Sequence, residues 1–486
     1  MKICFITDLH LPDTENAVQY KTLEWAISDI HDRNVDLVVF AGDYTANGAK
    51  AALDKFRHAI GGFQMKTVII PGNSDFRLKE TRDEVQGMAS EPLFEQEGCK
   101  LIALMDGEGS ILDEIWKLLD QADLNTVVCG HHPPDCLRSP HRERFATWLN
   151  EHPGVLYFCG HKHFSGWMND SVYLLTAADP DKAIGENPGI TYFDTETKQL
   201  SKSYFECPVP SDFREYIGLS CRNPEDDIPY AIVHGIRHLE VRSNYALWMT
   251  EPIRNLIQQW RNSGGVTLSI HASDILLKDQ SSYNDEDWET LTAAANLLSA
   301  DRITLHVPNI PVGKGSDAYL HEIAAHVAMY LSQMPDKLSV GIENMHMTGK
   351  EKPDENRRYG YVPEEVLRFV SILREHTIHP VGSHLDVGHA RNNAPYSQRY
   401  PVGSWYRLVG SQANGYHIHQ VVMTEHGMEN HMPIDDWYGK LISYASFFRE
   451  WDDGVLAKAP VFLEIRPKNG HMVTIEMLER ERKKSV

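Results

Sequence analysis

The chain has 486 residues, too many for one ordinary domain, so two or three are expected. Its 47 Lys and Arg stand against 68 Asp and Glu, a formal charge of −21 that repels phosphate backbones and excludes general coating of DNA or RNA. A hydrophobic content of 42% with 24% charged residues excludes disorder and collagen-like repeats as the main state.

The opening residues, MKICFITDLH, read as a short apolar strand running straight into polar residues. They lack the basic start, long apolar stretch and small-residue cleavage site of a signal peptide. No stretch approaches the ~18 apolar residues of a membrane helix. The seven cysteines are scattered and never form a CxxC pair, so they read as reduced thiols of a cytoplasmic protein with no membrane partner.

Up to about residue 200, apolar runs alternate with helical periodicity. KICFIT, DLVVFAG, KTVIIPG, NTVVCGHH and VLYFCGHKH read as buried strands, and AVQYKTLEWAISDIHDR as an amphipathic helix. That alternation predicts layered α/β architecture. The pattern breaks at KSYFECPVPSDF, which places a linker at 201–212. A second cycle follows over 213–475: EYIGLSC, GIRHLEV, VTLSIHA, RITLHVP, LSVGIEN, GSHLDVGH, YHIHQVV and PVFLEIRP. Eight strand candidates separated by helix-like sequence predict a (β/α)8 barrel. Residues 476–486 form a charged tail.

Five motifs end the strands of the first region: Asp8-x-His10, Gly42-Asp43, Gly72-Asn73-Ser74-Asp75, Gly130-His131-His132-Pro133 and Gly160-His161-Lys162-His163. The glycines let the chain turn sharply so that the following side chains converge. Carboxylates, imidazoles and an amide oxygen together suit Mn, Fe, Zn or Ni. This ordered set resembles the calcineurin-like metallophosphoesterases, a likeness covering residues 1–200. The resemblance implies a four-layer α/β/β/α sandwich with two divalent ions. It assigns Asp8, His10 and His163 to one ion, and Asn73, His131 and His161 to the other, with Asp43 bridging. In such enzymes a metal-bridged hydroxide attacks phosphorus while the ions neutralise the phosphoryl oxygens. One departure stands out. The family's histidine after the asparagine is Ser74 here, and serine cannot supply an acid near neutral pH. Either the leaving group is good enough, His132 substitutes as the acid, or turnover is slow. His31, His58 and His152 fall on helical or loop sequence and take no role.

The barrel strands also end in metal-type residues: His271, His306, Glu343, Asp386, His389, His419, Glu429, His431 and Glu464. A barrel brings the carboxyl ends of separate strands to one mouth. The motifs I-E-N, L-D-x-G-H and L-E-x-R-P resemble, in order, the xylose-isomerase-like barrels, which include endonuclease IV and sugar isomerases and epimerases. The isomerase branch implies one ion held by Glu343, Asp386, His419 and Glu464, with both glutamates moving protons. The further positions imply up to three ions and tilt toward phosphate cleavage. Glu429 replaces the family's aspartate, and the aspartate usual after His419 is missing. His417 competes with His419, and the twelve-residue spacing to His431 favours His419. His321, His326, His376, His379 and His384 take no role.

The expected function is therefore a bifunctional metal-dependent phosphoesterase. Its first site hydrolyses a small-molecule phosphodiester, a nucleotide or sugar derivative, using Asp43, Asn73 and His132. The barrel, through Glu343 and Glu464, then removes phosphate or isomerises a phosphorylated sugar product. The rival reading is a metal-dependent nuclease or DNA-repair enzyme, against which the −21 charge weighs.

Overall fold

The structure is a computed structural model and describes residues 1–63, 65–96, 98–242, 244–272, 285–348, 351–353, 357–425, 427–439 and 441–484. The chain divides into two compact units. One is Met1–Pro208 with Trp437–Arg449; the other is Val209–Asp436 with Glu450–Val486. Trp437–Arg449, which falls inside the range expected for the barrel, thus belongs to the first unit. There Ala445 packs against Val18, Phe205 and Cys207.

The first unit contains strands β1 (Lys2–Ile6), β2 (Leu37–Ala41), β3 (Lys66–Ile70), β4 (Leu93–Gln96), β5 (Cys99–Ala103), β6 (Thr126–Cys129), β7 (Leu156–Cys159), β8 (Gly166–Trp167), β9 (Val172–Leu174), β10 (Gly189–Asp194) and β11 (Leu200–Tyr204). They form a five-stranded sheet, β11-β10-β1-β2-β3, and a six-stranded sheet, β4-β5-β6-β7-β9-β8. β1, β2 and β3 run parallel, as do β5, β6 and β7. β2, with all five residues buried, shows why continuous apolar runs occur here: a parallel strand packed on both faces has no solvent side.

The side chains divide into layers accordingly. Phe5, Val39, Val68, Leu101, Val127 and Phe158 from both sheets make one core between them. On the outer face of the first sheet, Ile6, Val38 and Phe40 meet Leu23, Ala26 and Ile30 of helix Val18–Asp32 and Phe56 of helix Lys50–Ile60. On the outer face of the second, Ile102, Val128 and Tyr157 meet Trp116 of helix Asp113–Leu119 and Phe145 of helix His141–Glu151. The order is helix, sheet, sheet, helix. Each fully buried Leu, Ile or Phe contributes about 1.5–3 kcal/mol. Part of the expected linker is ordered: Leu200–Tyr204 pairs antiparallel with β10 as an edge strand.

The second unit is a closed barrel of eight parallel strands. They are β12 (Ile217–Cys221), β13 (His238–Arg242), β14 (Thr267–His271), β15 (Arg302–His306), β16 (Ser339–Glu343), β17 (Val381–Asp386), β18 (Ala413–Ile418) and, after a hairpin of β19 (Gln420–Thr424) and β20 (Gly427–Met432), β21 (Val461–Leu463). All eight expected strand segments are present. Residues 476–484 of the expected charged tail lie within the helix Gly470–Lys484, and 485–486 fall outside the described residues.

The barrel interior is unusually polar. Such interiors are ordinarily layers of branched apolar side chains, yet here Arg302 is 2% exposed and reaches across the axis. It donates to Asn414 O (3.0 Å) and Oδ1 (3.1 Å), Ser269 Oγ (3.1 Å) and Thr304 Oγ1 (2.6 Å), and its Nη2 lies 2.6 Å from His384 Nδ1. Glu240, fully buried, accepts from Ser220 (3.2 Å) and Thr304 (3.1 Å) and faces His417 Nε2 at 2.8 Å.

Candidate metal centres

In the first unit the ligand-type residues stand just beyond β1, β2, β3, β6 and β7, all at the carboxyl ends of parallel strands. Asp8, His10, Asp43, His161 and His163 have φ of 51°, 48°, 52°, 71° and 61°. Non-glycine residues rarely adopt this left-handed region, and such strain persists only where surrounding structure over-determines it, most often at functional sites. Here the loops are pinned by Asp8 N to Gly42 O (3.0 Å), His10 N to Asp43 O (2.8 Å) and His161 N to Asp8 Oδ2 (2.9 Å).

The donor groups that result, each within 4.8 Å across, include Asp8, His10 and His163, and His131, His132 and His161. Asp43 Oδ2 faces both, 3.8 Å from His10 Nε2 and 3.5 Å from His131 Nε2. Asn73 Oδ1 lies 3.2 Å from His131 Nε2. Asp8 Oδ1, buried, accepts no hydrogen bond among the described residues and stands 3.4 Å from His163 Nε2. Two ligands of one ion, each about 2.0–2.2 Å from it, sit roughly 3–3.5 Å apart, which is the spacing seen here. His132, expected only as an acid, stands in the second donor group.

The charges suit a cation. Burial opposes ionisation of Asp8, but His163, His131 and His10 hold its carboxyl well below the usual range. Asp43 is likewise opposed by burial and lowered by His131 and His10. Burial and then the neighbouring His131 bring His161 down to about 4, so it presents a neutral imidazole. His131 resists burial because Asp43 faces it, and is pushed up to about 10; it carries a proton that a divalent ion would replace.

Three further carboxyl groups of the first unit take no role from the sequence, although Asp75 stands in the Gly72-Asn73-Ser74-Asp75 motif. Asp106 receives the amides of His131 and His132, each at 2.8 Å, and so fixes the turn that aims both rings. Asp75 receives Thr45 N, Thr45 Oγ1 and Gly72 N at 2.8, 2.7 and 2.8 Å, tying the loops after β2 and β3 together. Asp181 accepts from Gln19 (2.8 Å) and Ser446 (2.5 Å) in the same unit. Ser74, where an acid was missed in the sequence, is buried and bonds Asp43 twice, N to Oδ1 at 2.7 Å and Oγ to Oδ2 at 2.8 Å.

The donor groups at the barrel mouth, each again within 4.8 Å across, include His271, Glu343 and His417; Glu343, Asp386, His417 and Glu464; and Asp386, His419 and His431. His306 Nε2 stands 3.7 Å from Glu343 Oε2. His389 Nδ1 is 3.4 Å from Glu343 Oε1 and 3.6 Å from Asp386 Oδ2. The sequence spacing favoured His419 over His417, but both reach the mouth. His417 takes the centre, with Nδ1 2.8 Å from Glu464 and Nε2 on Glu240, whereas His419 Nε2 lies 3.3 Å from Asp386. His384, given no role from sequence, lies against the His417 ring at 4.0 Å between centroids.

Glu429 requires a correction. It is exposed and accepts from Thr424 Oγ1 at 3.3 Å, away from these groups. Strand alternation would put Glu429 and His431 on one side, but the backbone of His431 turns at φ 61° and brings its ring alone inward, 3.2 Å from Glu464.

The barrel carboxylates also stay ionised despite burial. His417 and His306 lower Glu343, His389 and His419 lower Asp386, and Arg242, in direct contact, then His417 lower Glu464. Glu343 Oε1 and Asp386 Oδ2 accept no hydrogen bond among the described residues. Burying ionised carboxylates without donors is strongly unfavourable unless a cation compensates. The donor chemistry and spacing of both mouths therefore fit divalent ions.

Fold and sites together define an α/β protein with a metallophosphoesterase sandwich and a closed eight-stranded parallel barrel. Residues 1–165 match the family model for calcineurin-like phosphoesterases, and the first unit carries that domain. The chain is 25% identical over 210 residues to a protein of Synechococcus sp. named as a probable cyclic nucleotide phosphodiesterase, covering 40% of this chain and 78% of that one. It is 28% identical over 176 residues to a probable glycerophosphodiester phosphodiesterase of Arcobacter nitrofigilis, covering 31% of this chain and 64% of that one, just under two thirds of its length. Among solved structures, endonuclease IV from Thermus thermophilus aligns at 16% identity with a TM-score of 0.37, covering 55% of this chain and 99% of that one. A D-tagatose 3-epimerase-like protein aligns at 16% identity with a TM-score of 0.38, covering 56% and 100%. Among the described residues no helix is long and apolar enough to cross a membrane.

Proposed function

We propose that the protein is a metal-dependent phosphoester hydrolase with two working centres. The first cleaves a small-molecule phosphodiester, a nucleotide or sugar derivative. The barrel then processes the product, removing the remaining phosphate or isomerising a released sugar. The observation carrying this reading is that both mouths hold buried, ionised carboxylates among imidazole nitrogens, and that Asp8 Oδ1 in the first and Glu343 Oε1 and Asp386 Oδ2 in the second accept no hydrogen bond among the described residues. The named activities of the two phosphodiesterase relatives support the substrate class of the first centre.

In the first unit Asp8, His10 and His163 would hold one ion, Asn73, His131 and His161 a second, with Asp43 between them. Ions held there supply a water-derived nucleophile near neutral pH and offset phosphoryl charge. The chain's own work is positional. Ser74 fixes the Asp43 carboxylate, Asp106 fixes the His131–His132 turn, and His132, beside His161 with 4.6 Å between rings, is placed to give a proton to a departing alkoxide. In the barrel, His271, His306, Glu343, Asp386, His389, His417, His419, His431 and Glu464 would hold one to three ions, and Glu240 orients His417.

Asp43→Asn should abolish hydrolysis of bis(p-nitrophenyl) phosphate by manganese-loaded protein. Elemental analysis should find more than two ions per chain, since two would load only one mouth. Unchanged turnover in the metal-replete variant would overturn the assignment. Incision of abasic-site DNA at low salt without action on small diesters would replace it with the nuclease reading.

A further inference from the structure

A cavity of about 240 Å³ opens between the carboxyl ends of β12 and β21, where the barrel's last strand meets its first. Arg222, Arg466 and Lys468 line it, all three exposed. None of the three side chains makes a hydrogen bond or ion pair among the described residues. Three unpaired cations at one place are notable in a chain of net charge −21. Asp226 and Asp227 also line it, and both already accept hydrogen bonds from its wall. Asp227 Oδ2 accepts the amides of Arg222 and Asn223 at 3.0 and 2.9 Å, and Asp226 accepts from the Asn223 side chain at 2.5 Å.

The cavity adjoins the barrel centre. Ser220, on its wall, donates to Glu240, and Glu240 in turn faces His417. Arg466 follows Glu464 by two residues, and Arg242 contacts Glu464 directly. Partial burial, and then the like charges of Arg242 and Arg466, hold the Arg222 guanidinium below its ordinary value, although Glu464 opposes them. Crowded guanidinium groups of this kind are relieved by an anion that accepts from several at once, and phosphate does so with fork-like geometry. Barrel enzymes commonly hold substrate phosphate in loops after their closing strands.

We propose that this cavity is an anion subsite in which Arg222, Arg466 and Lys468 grip a phosphate group of the barrel's substrate while the rest of that substrate reaches the centre at Glu464. The proposal rests on the reading of the barrel as a processing site and narrows it to phosphorylated molecules. It thereby favours a phosphomonoester, such as the first unit's hydrolysis would release, over an unphosphorylated sugar.

The test is calorimetric titration of inorganic phosphate into full-length protein stripped of metal by chelation, at low ionic strength. Binding there needs no turnover, so an inactive barrel would sink the processing reading and leave the subsite standing. The double variant Arg222→Ala/Arg466→Ala should weaken phosphate binding by at least about tenfold, as expected for two lost charge-assisted contacts. Arg222→Lys/Arg466→Lys should retain part of it. A charge-matched control, Arg254→Ala/Lys337→Ala, changes two exposed cations of the same unit that do not line the cavity and should leave binding intact. Both substituted cations are exposed, so the variants should melt like the parent. Absence of phosphate binding by the parent, equal binding by the cavity variant, or equal weakening by the control would each overturn the proposal.

Discussion

Ser74→Ala separates two roles that serine can play beside Asp43. The substitution keeps the amide bond to Asp43 Oδ1 and removes the hydroxyl bond to Oδ2. A hydrogen bond to a charged group contributes about 1.5–3 kcal/mol, and about 1.4 kcal/mol is a factor of ten. Loss of the hydroxyl therefore predicts a weakening of about 10–100-fold. The surviving amide at 2.7 Å and His131 at 3.5 Å still restrain the carboxylate, which places the effect near the lower end, about tenfold. Hydrolysis of bis(p-nitrophenyl) phosphate against manganese concentration reads it directly. The metal concentration for half-maximal rate should rise about tenfold, and most of the rate should return at saturating metal. An unchanged metal dependence would refute the positioning argument. So would an effect confined to substrates with poor leaving groups, because that pattern puts the serine at the departing oxygen.

Gly388→Ala should strike the barrel alone: a Cβ there would overlap the His419 ring, so the ion count per chain should fall while diester turnover persists, and an unchanged count would refute the placement of His419. Glu240→Gln replaces the carboxylate on His417 with an amide and should lower the barrel's metal affinity by about tenfold in a competition titration. A pH effect is expected at His238, which burial brings down to about 4 although its contact with Glu215 O opposes that. Its ordinary value is near 6.5, so the unfolded chain takes up the proton first. The stability is fully present above pH 6.5 and is lost as pH falls toward 4, at no more than about 1.4 kcal/mol per pH unit. His238→Gln should flatten the melting temperature between pH 7 and pH 5; parallel profiles would contradict this.

The first unit's donors were legible because each stands at the end of an apolar strand, most after a glycine-bearing turn as in Gly42-Asp43 and Gly160-His161, and Asp8 and His10 directly after KICFIT. Asp106 was not. It acts through backbone amides 25 and 26 residues later, and no local spacing records that. All eight barrel strands could be read, but not what fills them. Glu240 and Arg302 carried a usable signal, since a charged residue inside a parallel strand has no solvent face to occupy and must find a partner within. Glu429 misled because its place in the chain matched a ligand position that the family fills with aspartate, whereas facing depends on the local backbone at His431, which sequence alternation does not give.

The guanidinium of Arg302 constrains its neighbours as much as they constrain it. A Cβ at Gly341 would overlap its Nη2, and one at Gly415 would come within 2.6 Å of it. Either glycine can gain a side chain only if the arginine shrinks, yet shrinking it first strands Glu240, Asn414 and His384 around a hole. Single steps in either direction are thus blocked, and these positions are bound to change together or not at all, so the middle of the barrel should drift far more slowly than the loops that crown it.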